Sequence, residues 1–238
     1  MFDFTNKTIM ITGAIGQLGA ALTQSFQAAN ANLALVDRGE DRLKKAFPDL
    51  VGLPDNLLVD CADLMNEAAV EHVVSKAVNH FGGLDVLVNT VGGFRAGKML
   101  HETPLETWDS LLNLNARSVF IACRQVIPHM LNEGSGKIVN IAARPGLTGQ
   151  PGLAAYSAAK SAVVRLTESM SAELKDQGIN VNCIIPGTID TPGNREAMPE
   201  ADFSTWVTPD SLAEVILFLS SSAARDIHGA ALPVYGRS

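Results

Sequence analysis

Tyr156 and Lys160, in the stretch YSAAK, stand four residues apart in a helix-patterned segment, so their side chains share one face. A phenol ordinarily titrates near about 10 and is a poor acid–base catalyst at neutral pH. An ammonium on the same face favours the phenolate and draws that value toward the working range. The pair could then pass a proton to or from a substrate. Alone, the spacing is a common helix accident. Its place after the fifth strand-like run gives it weight.

Glycines 13, 16 and 19, in TIMITGAIGQLGAAL, follow the first strand-like run directly and open a helix pattern. Gly13 permits a tight turn, Gly16 lets backbone approach a pyrophosphate, and Gly19 permits close helix–sheet packing. The helix N-terminus offers N–H groups and a positive dipole end to phosphates. Asp37 ends the second run, 18 residues after Gly19. A carboxylate there can accept from an adenosine ribose and repels a 2′-phosphate, which favours NAD over NADP. Arg38 next to it softens that preference. Asp60, at the end of the third run, is placed to meet the adenine side.

Residues 8–12, 32–37, 56–60, 84–89, 137–142 and 179–185 form short apolar runs, with a weaker one at 231–235. Amphipathic stretches at 16–30, 63–80, 105–132, 153–177 and 209–221 separate them. Strands joined by helix-length connectors imply parallel pairing, and continuously apolar strands imply cover on both faces. With no linker or repeat, the chain reads as one doubly wound α/β domain over residues 1–238. Hydrophobic residues make up 47% and charged residues 18%, which suits a packed core and argues against disorder. A net charge of −7 disfavours nucleic acid or an anionic membrane as partner. No apolar run approaches ~18 residues, so no membrane span is expected. The start, MFDFTNKTIM, shows no signal peptide, and Cys61, Cys123 and Cys183 lie far apart in apolar surroundings. Buried thiols in a reducing cytoplasm are expected, with neither a disulfide framework nor a metal site. His101, His129 and the other histidines have no metal or triad spacing.

Across nearly its whole length the chain resembles the short-chain dehydrogenases/reductases, through TGAIGQLG, Asp37, Asp60, LVNTVGG, WDSLLNLNA, YSAAK and IPGTIDT. The resemblance implies a Rossmann fold and NAD(P)-dependent hydride transfer to or from a small molecule. It makes Tyr156 the acid/base, gives Lys160 the nicotinamide ribose, and has Asn115 help hold a proton-relay water. It also implies cofactor contacts from Ile15, Gln17 and Leu18 beside the glycines, from Asn89, Val91 and Gly92, and from Pro186, Gly187 and Ile189. Family members usually pair helices matching 105–132 and 153–177 across a two-fold axis, implying a homodimer or homotetramer.

The family also carries a serine 13 positions before the tyrosine, orienting the substrate carbonyl; that position is Ala143. The glycines are spaced G-x-x-G-x-x-G rather than the commoner G-x-x-x-G-x-G, and LVNTVGG replaces the usual N-N-A-G. A branch of the family, the quinonoid dihydropteridine reductases, resembles the chain at these departures. It shares the glycine spacing, a Gly-Gly-aromatic turn like VGGFRAG (91–97), the alanine, and much of DTPGNREAMPEADFSTW (190–206). Around Asn115 the chain reads like the ordinary branch.

Losing one donor to a developing oxyanion costs on the order of 2.7–4 kcal/mol in the transition state. Tyr156 would remain, so weak ketone reduction survives. A quinonoid pterin, whose charge spreads over ring nitrogens, has less need of the second hydroxyl; alternatively Thr148 or Ser157 replaces it. Three readings stand: reductase of such rings, ordinary ketone/alcohol oxidoreductase, or nucleotide-binding protein without turnover. Residues 190–208 are expected to form a substrate lid, with Phe94, Phe203 and Trp206 available to stack on a flat ring. Arg95, Arg144 and Arg195 are candidates for polar recognition, against the commoner fate of solvated surface arginine.

Overall fold

The computed structural model describes residues 2–61 and 63–237. The apolar runs become seven strands: β1 (Thr8–Thr12), β2 (Asn32–Asp37), β3 (Asn56–Asp60), β4 (Val86–Asn89), β5 (Gly136–Ile141), β6 (Ile179–Pro186) and β7 (Ala231–Val234). They form one parallel sheet in the order β3-β2-β1-β4-β5-β6-β7. The helices are α1 (Gln17–Ala28), α2 (Glu40–Ala46), α3 (Glu67–Phe81), α4 (Leu105–Leu112), α5 (Ser118–Glu133), α6 (Ala154–Leu174), α7 (Pro192–Ala197) and α8 (Pro209–Ser220).

Two apolar layers hold the helices to the sheet, because successive strand side chains point to opposite faces. Met10 and Ala34 join Val73 of α3, Val126 and Met130 of α5 and Val163 of α6 on one side. Ile9, Ile11, Leu33 and Leu35 join Leu22 and Phe26 of α1 and Leu212 and Ile216 of α8 on the other. This is the doubly wound arrangement that continuously apolar strands demand. Strand order reverses between β1 and β4, which opens a crevice at the carboxyl ends of the strands.

Three local features differ from the sequence expectation. The short helices α2 and α7 emerge where no amphipathic period is long enough to read. The stretch 105–132 is not one regular helix: Asn113–Arg117 forms a π-helical turn between α4 and α5. Such turns widen the helix by one residue and re-aim side chains, and this one carries Asn115.

Gly19 is set by packing. A Cβ there would collide with the Gly13 carbonyl oxygen and lie 2.8 Å from Ala14 Cα, all backbone. Overpacking of this kind costs about 2–3 kcal/mol. Gly19→Ala is expected to lower Tm by roughly 4–12 °C in a thermal melt. Gly83, where an added methyl would meet no atom within 4 Å, serves as control, and Gly83→Ala should move Tm by no more than about 2 °C.

Candidate active site

The glycine turn after β1 is drawn tight by its neighbours. Gly13 has φ +74°, and its N–H donates to the Val36 carbonyl at 2.8 Å. A Cβ on Gly13 would sit 2.8 Å from Thr90 Oγ1 and 2.9 Å from Val91 Cγ2, so only glycine fits. Thr90 Oγ1 donates back to the Thr12 carbonyl at 2.6 Å. This latch between β4 and the turn was missed by sequence reasoning, and a threonine in place of the usual asparagine was its only signal.

Helix α1 starts from exposed Gly16 with no side-chain cap, leaving the N–H groups of Gln17, Leu18 and Gly19 without a side-chain acceptor. This donor set, with the dipole's positive end behind it, suits a pyrophosphate. Leu18 offers only backbone, since its side chain is buried in the core. Asp37 Oδ2 accepts from Ile15 N at 3.0 Å and Oδ1 from Arg38 N at 2.7 Å, so the carboxylate is fixed beside the turn. Each oxygen retains a lone pair for a ribose hydroxyl. Asp60 Oδ1 accepts from Gly39 N, which joins the ends of β2 and β3. These residues fit a dinucleotide.

Lys160 is buried, and its Nζ donates to the Ile141 carbonyl at 2.8 Å. A Cβ on Gly92 would lie 3.2 Å from that Nζ and 2.8 Å from Asn115 Oδ1, so ammonium and amide meet beneath this glycine. Asn115 is wholly buried; its Oδ1 accepts from Gly93 N at 3.1 Å. Its Nδ2 donates to the carbonyls of Gly93 and Leu111, both at 3.0 Å. Both amide hydrogens are therefore used, and the side chain clamps the 91–94 loop rather than offering an N–H to a relay water.

Tyr156 is half-buried on α6, and the ring of Phe94 meets it edge-on with centroids 4.9 Å apart at 88°. Phe94 remains 63% exposed. Burial drives the Tyr156 phenol up to about 12, and burial pulls Lys160 down to about 8. This corrects the sequence expectation. Lys160 Nζ uses one of its three N–H groups on the Ile141 carbonyl, and desolvation is what raises the phenol. At neutral pH the Tyr156 phenol keeps its proton.

Ala143 is buried in extended backbone at φ −164°, ψ 158°, and leads into the tight turn Arg144–Gly146. A Cβ on Gly146 would lie 2.8 Å from Lys160 C, which holds that turn against α6. Of the two hydroxyls that could replace the serine, Thr148 is exposed, and buried Ser157 Oγ has no hydrogen-bond partner among the described residues.

A model of the short chain dehydrogenase family matches residues 7–202. The chain belongs to that family. It is 32% identical over 244 residues to 2-(R)-hydroxypropyl-CoM dehydrogenase of Xanthobacter autotrophicus, covering 97% of this chain and 98% of the relative. It is 31% identical over 239 residues to the 3-oxoacyl-[acyl-carrier-protein] reductase of Thermotoga maritima, covering 97% and 96%. NAD+-bound xylitol dehydrogenase superposes with TM-score 0.90 at 26% identity, covering 98% of this chain and 99% of that one. ElxO with NADP bound gives 0.88 at 27% identity, covering 97% of each.

This short-chain dehydrogenase is thus an NAD(P)-dependent oxidoreductase, and bound nicotinamide supplies or accepts the hydride. The other expected cofactor residues lie around the ends of β4 and β6. The Asn89 amide donates to Asn140 Oδ1 at 2.9 Å inside the sheet, so its side chain does not face the crevice. Pro186 is buried at the end of β6, while Gly187 and Ile189 beyond it are half-buried. Val91 is half-buried beside Gly13. Phe203 and Trp206 pack on each other at 4.8 Å, and Trp206 is buried. Arg195 pairs with Asp190 at 2.6 and 2.8 Å and lies over the Phe203 ring. Arg144 lies over the Tyr235 ring. Only Phe94 among the three aromatics is packed on Tyr156.

Lys160 holds its proton below pH 8 and releases it as pH rises through that value. NADH affinity, read by fluorescence titration, should therefore weaken between about pH 7 and 9, and Lys160→Met should flatten the dependence. An unchanging wild-type profile would count against a role for the ammonium.

Proposed function

We propose that the enzyme reduces the carbonyl of a small molecule with NADH, Tyr156 donating the proton, and oxidises the matching alcohol in reverse. The observation carrying this reading is the half-buried Tyr156 phenol on α6, one helical turn before buried Lys160 and with the Phe94 ring packed edge-on against it. In this reading the nicotinamide ribose is taken by Lys160 and the pyrophosphate by the α1 N-terminus. Both relatives named above are, by their names, a dehydrogenase of a hydroxy compound and a reductase of an oxo compound, which supports the same chemistry.

A second reading is reduction of a flat, electron-poor ring such as a quinonoid dihydropteridine. Two features favour it: the methyl of Ala143 in the serine position, and the exposed Phe94 ring against Tyr156. Residues 190–208 act as the lid in either case; they are tied at their base by the Ile189–Val207 bridge. Assembly is through 105–132 with α6, supported by exposed Leu105, Trp108 and Phe120. The compartment is a reducing cytoplasm, in keeping with three buried free thiols.

Asp37, held by two backbone N–H groups, gives NADH its advantage over NADPH through repulsion of a 2′-phosphate. Asp37→Ala should lower the NADH/NADPH ratio of kcat/KM by about tenfold or more. Tyr156→Phe should lower kcat by roughly 10²–10⁴. The two substrate classes separate in Ala143→Ser. Restoring a donor should raise kcat/KM for ketones by about tenfold or more and leave quinonoid dihydropterin within about threefold. Equal gains on both would contradict the proposed reason for the alanine. Turnover of the pterin alone would make the second reading the correct one.

A further inference from the structure

A cavity of about 370 Å³ opens between the loop after Phe94, the start of α4 and the residues just before Tyr156. Arg95 and Lys98 line it, and neither has an ion-pair or hydrogen-bond partner among the described residues. No aspartate or glutamate lines it. In a chain of net charge −7, two unanswered cations in one concavity reverse the local sign. Thr107 adds a hydroxyl, while Leu111, Leu153 and Ala155 supply apolar wall.

The cavity is tied to the reaction centre on both sides. Arg95 directly follows Phe94, whose ring packs on Tyr156. Ala155 directly precedes Tyr156 on α6. Gly97 N donates to the Gly152 carbonyl at 3.1 Å, which fixes the cationic wall to the wall that carries the tyrosine.

We infer that this cavity is a substrate subsite for an oxyanion: it holds the carboxylate, sulfonate or phosphate end of a molecule whose carbonyl lies at Tyr156. Arg95 and Lys98 take the anion through charge-assisted hydrogen bonds, and the apolar wall covers the chain between the two ends. The inference rests on Tyr156 as proton donor and adds the substrate class that reading leaves open. It also accounts for two solvent-facing cations without partners among the described residues, beside the loop that carries Phe94.

The test uses the intact enzyme with NADH and three oxo acids of increasing length (4-oxopentanoate, 5-oxohexanoate and 6-oxoheptanoate), each against its methyl ester. Isothermal titration with glutarate reads anion binding apart from turnover. Wild type should prefer the acid to the ester for at least one chain length. The acid-over-ester ratio of kcat/KM should fall by about tenfold or more in Arg95→Gln/Lys98→Met, with loss of glutarate binding. No acid preference at any length, or an unchanged ratio in the double variant, would overturn the subsite. Glutarate binding that depends on Arg95 and Lys98, with no turnover of any carbonyl compound, would keep the anion cavity and remove the proton-donor reading. Absence of both binding and turnover would remove the two together.

Discussion

Burial of the Lys160 ammonium against the Ile141 carbonyl is the constraint around which the site is built. A cation so placed needs a neutral oxygen at close range, and it is destabilised enough that its pKa falls to about 8. Meeting that need fixes α6 against the end of β5. It also sets the space above the ammonium, where Gly92 passes because a side chain would strike both Lys160 Nζ and Asn115 Oδ1. Asn115 then holds Gly93 by two reciprocal hydrogen bonds. One desolvated charge thereby organises β5, α6, the π-helical turn and the 91–94 loop.

The same burial shifts both titratable groups of the pair. Desolvation raises both the phenol's hold on its proton and the ammonium's readiness to lose its own. The Tyr156 phenol thus keeps its proton at neutral pH, and the Phe94 ring packs edge-on against it. With a methyl at Ala143, no second hydroxyl is fixed at the family's usual place.

Much of this was legible in particular residues. The three glycines, with Asp37 18 positions on, specify a turn and helix that only a strand–helix junction can use, and β1, α1 and β2 follow. Unbroken apolar runs such as INVNCII mark strands covered on two faces, and β6 is buried throughout. Other features escaped because they depend on partners remote in sequence. Asn89 reads as a crevice residue from its motif, but Asn140, 51 residues later, takes its amide into the sheet. Phe203 and Trp206 read either as ring-stacking residues or as lid and core residues, and they pack on each other.

By itself the sequence determined the parallel doubly wound sheet and the family. Periodicity, turn chemistry and spacing are local properties, and a linear chain displays them directly. Tertiary structure alone decided the surroundings of Tyr156, Lys160 and Asn115. Whether an ammonium at i+4 lowers a phenol's pKa depends on which oxygen it meets and how much water surrounds the pair, and both were set by β5 and by the loop after β4. Spacing along a helix brings charges near each other; only packing determines the dielectric and the competing partner.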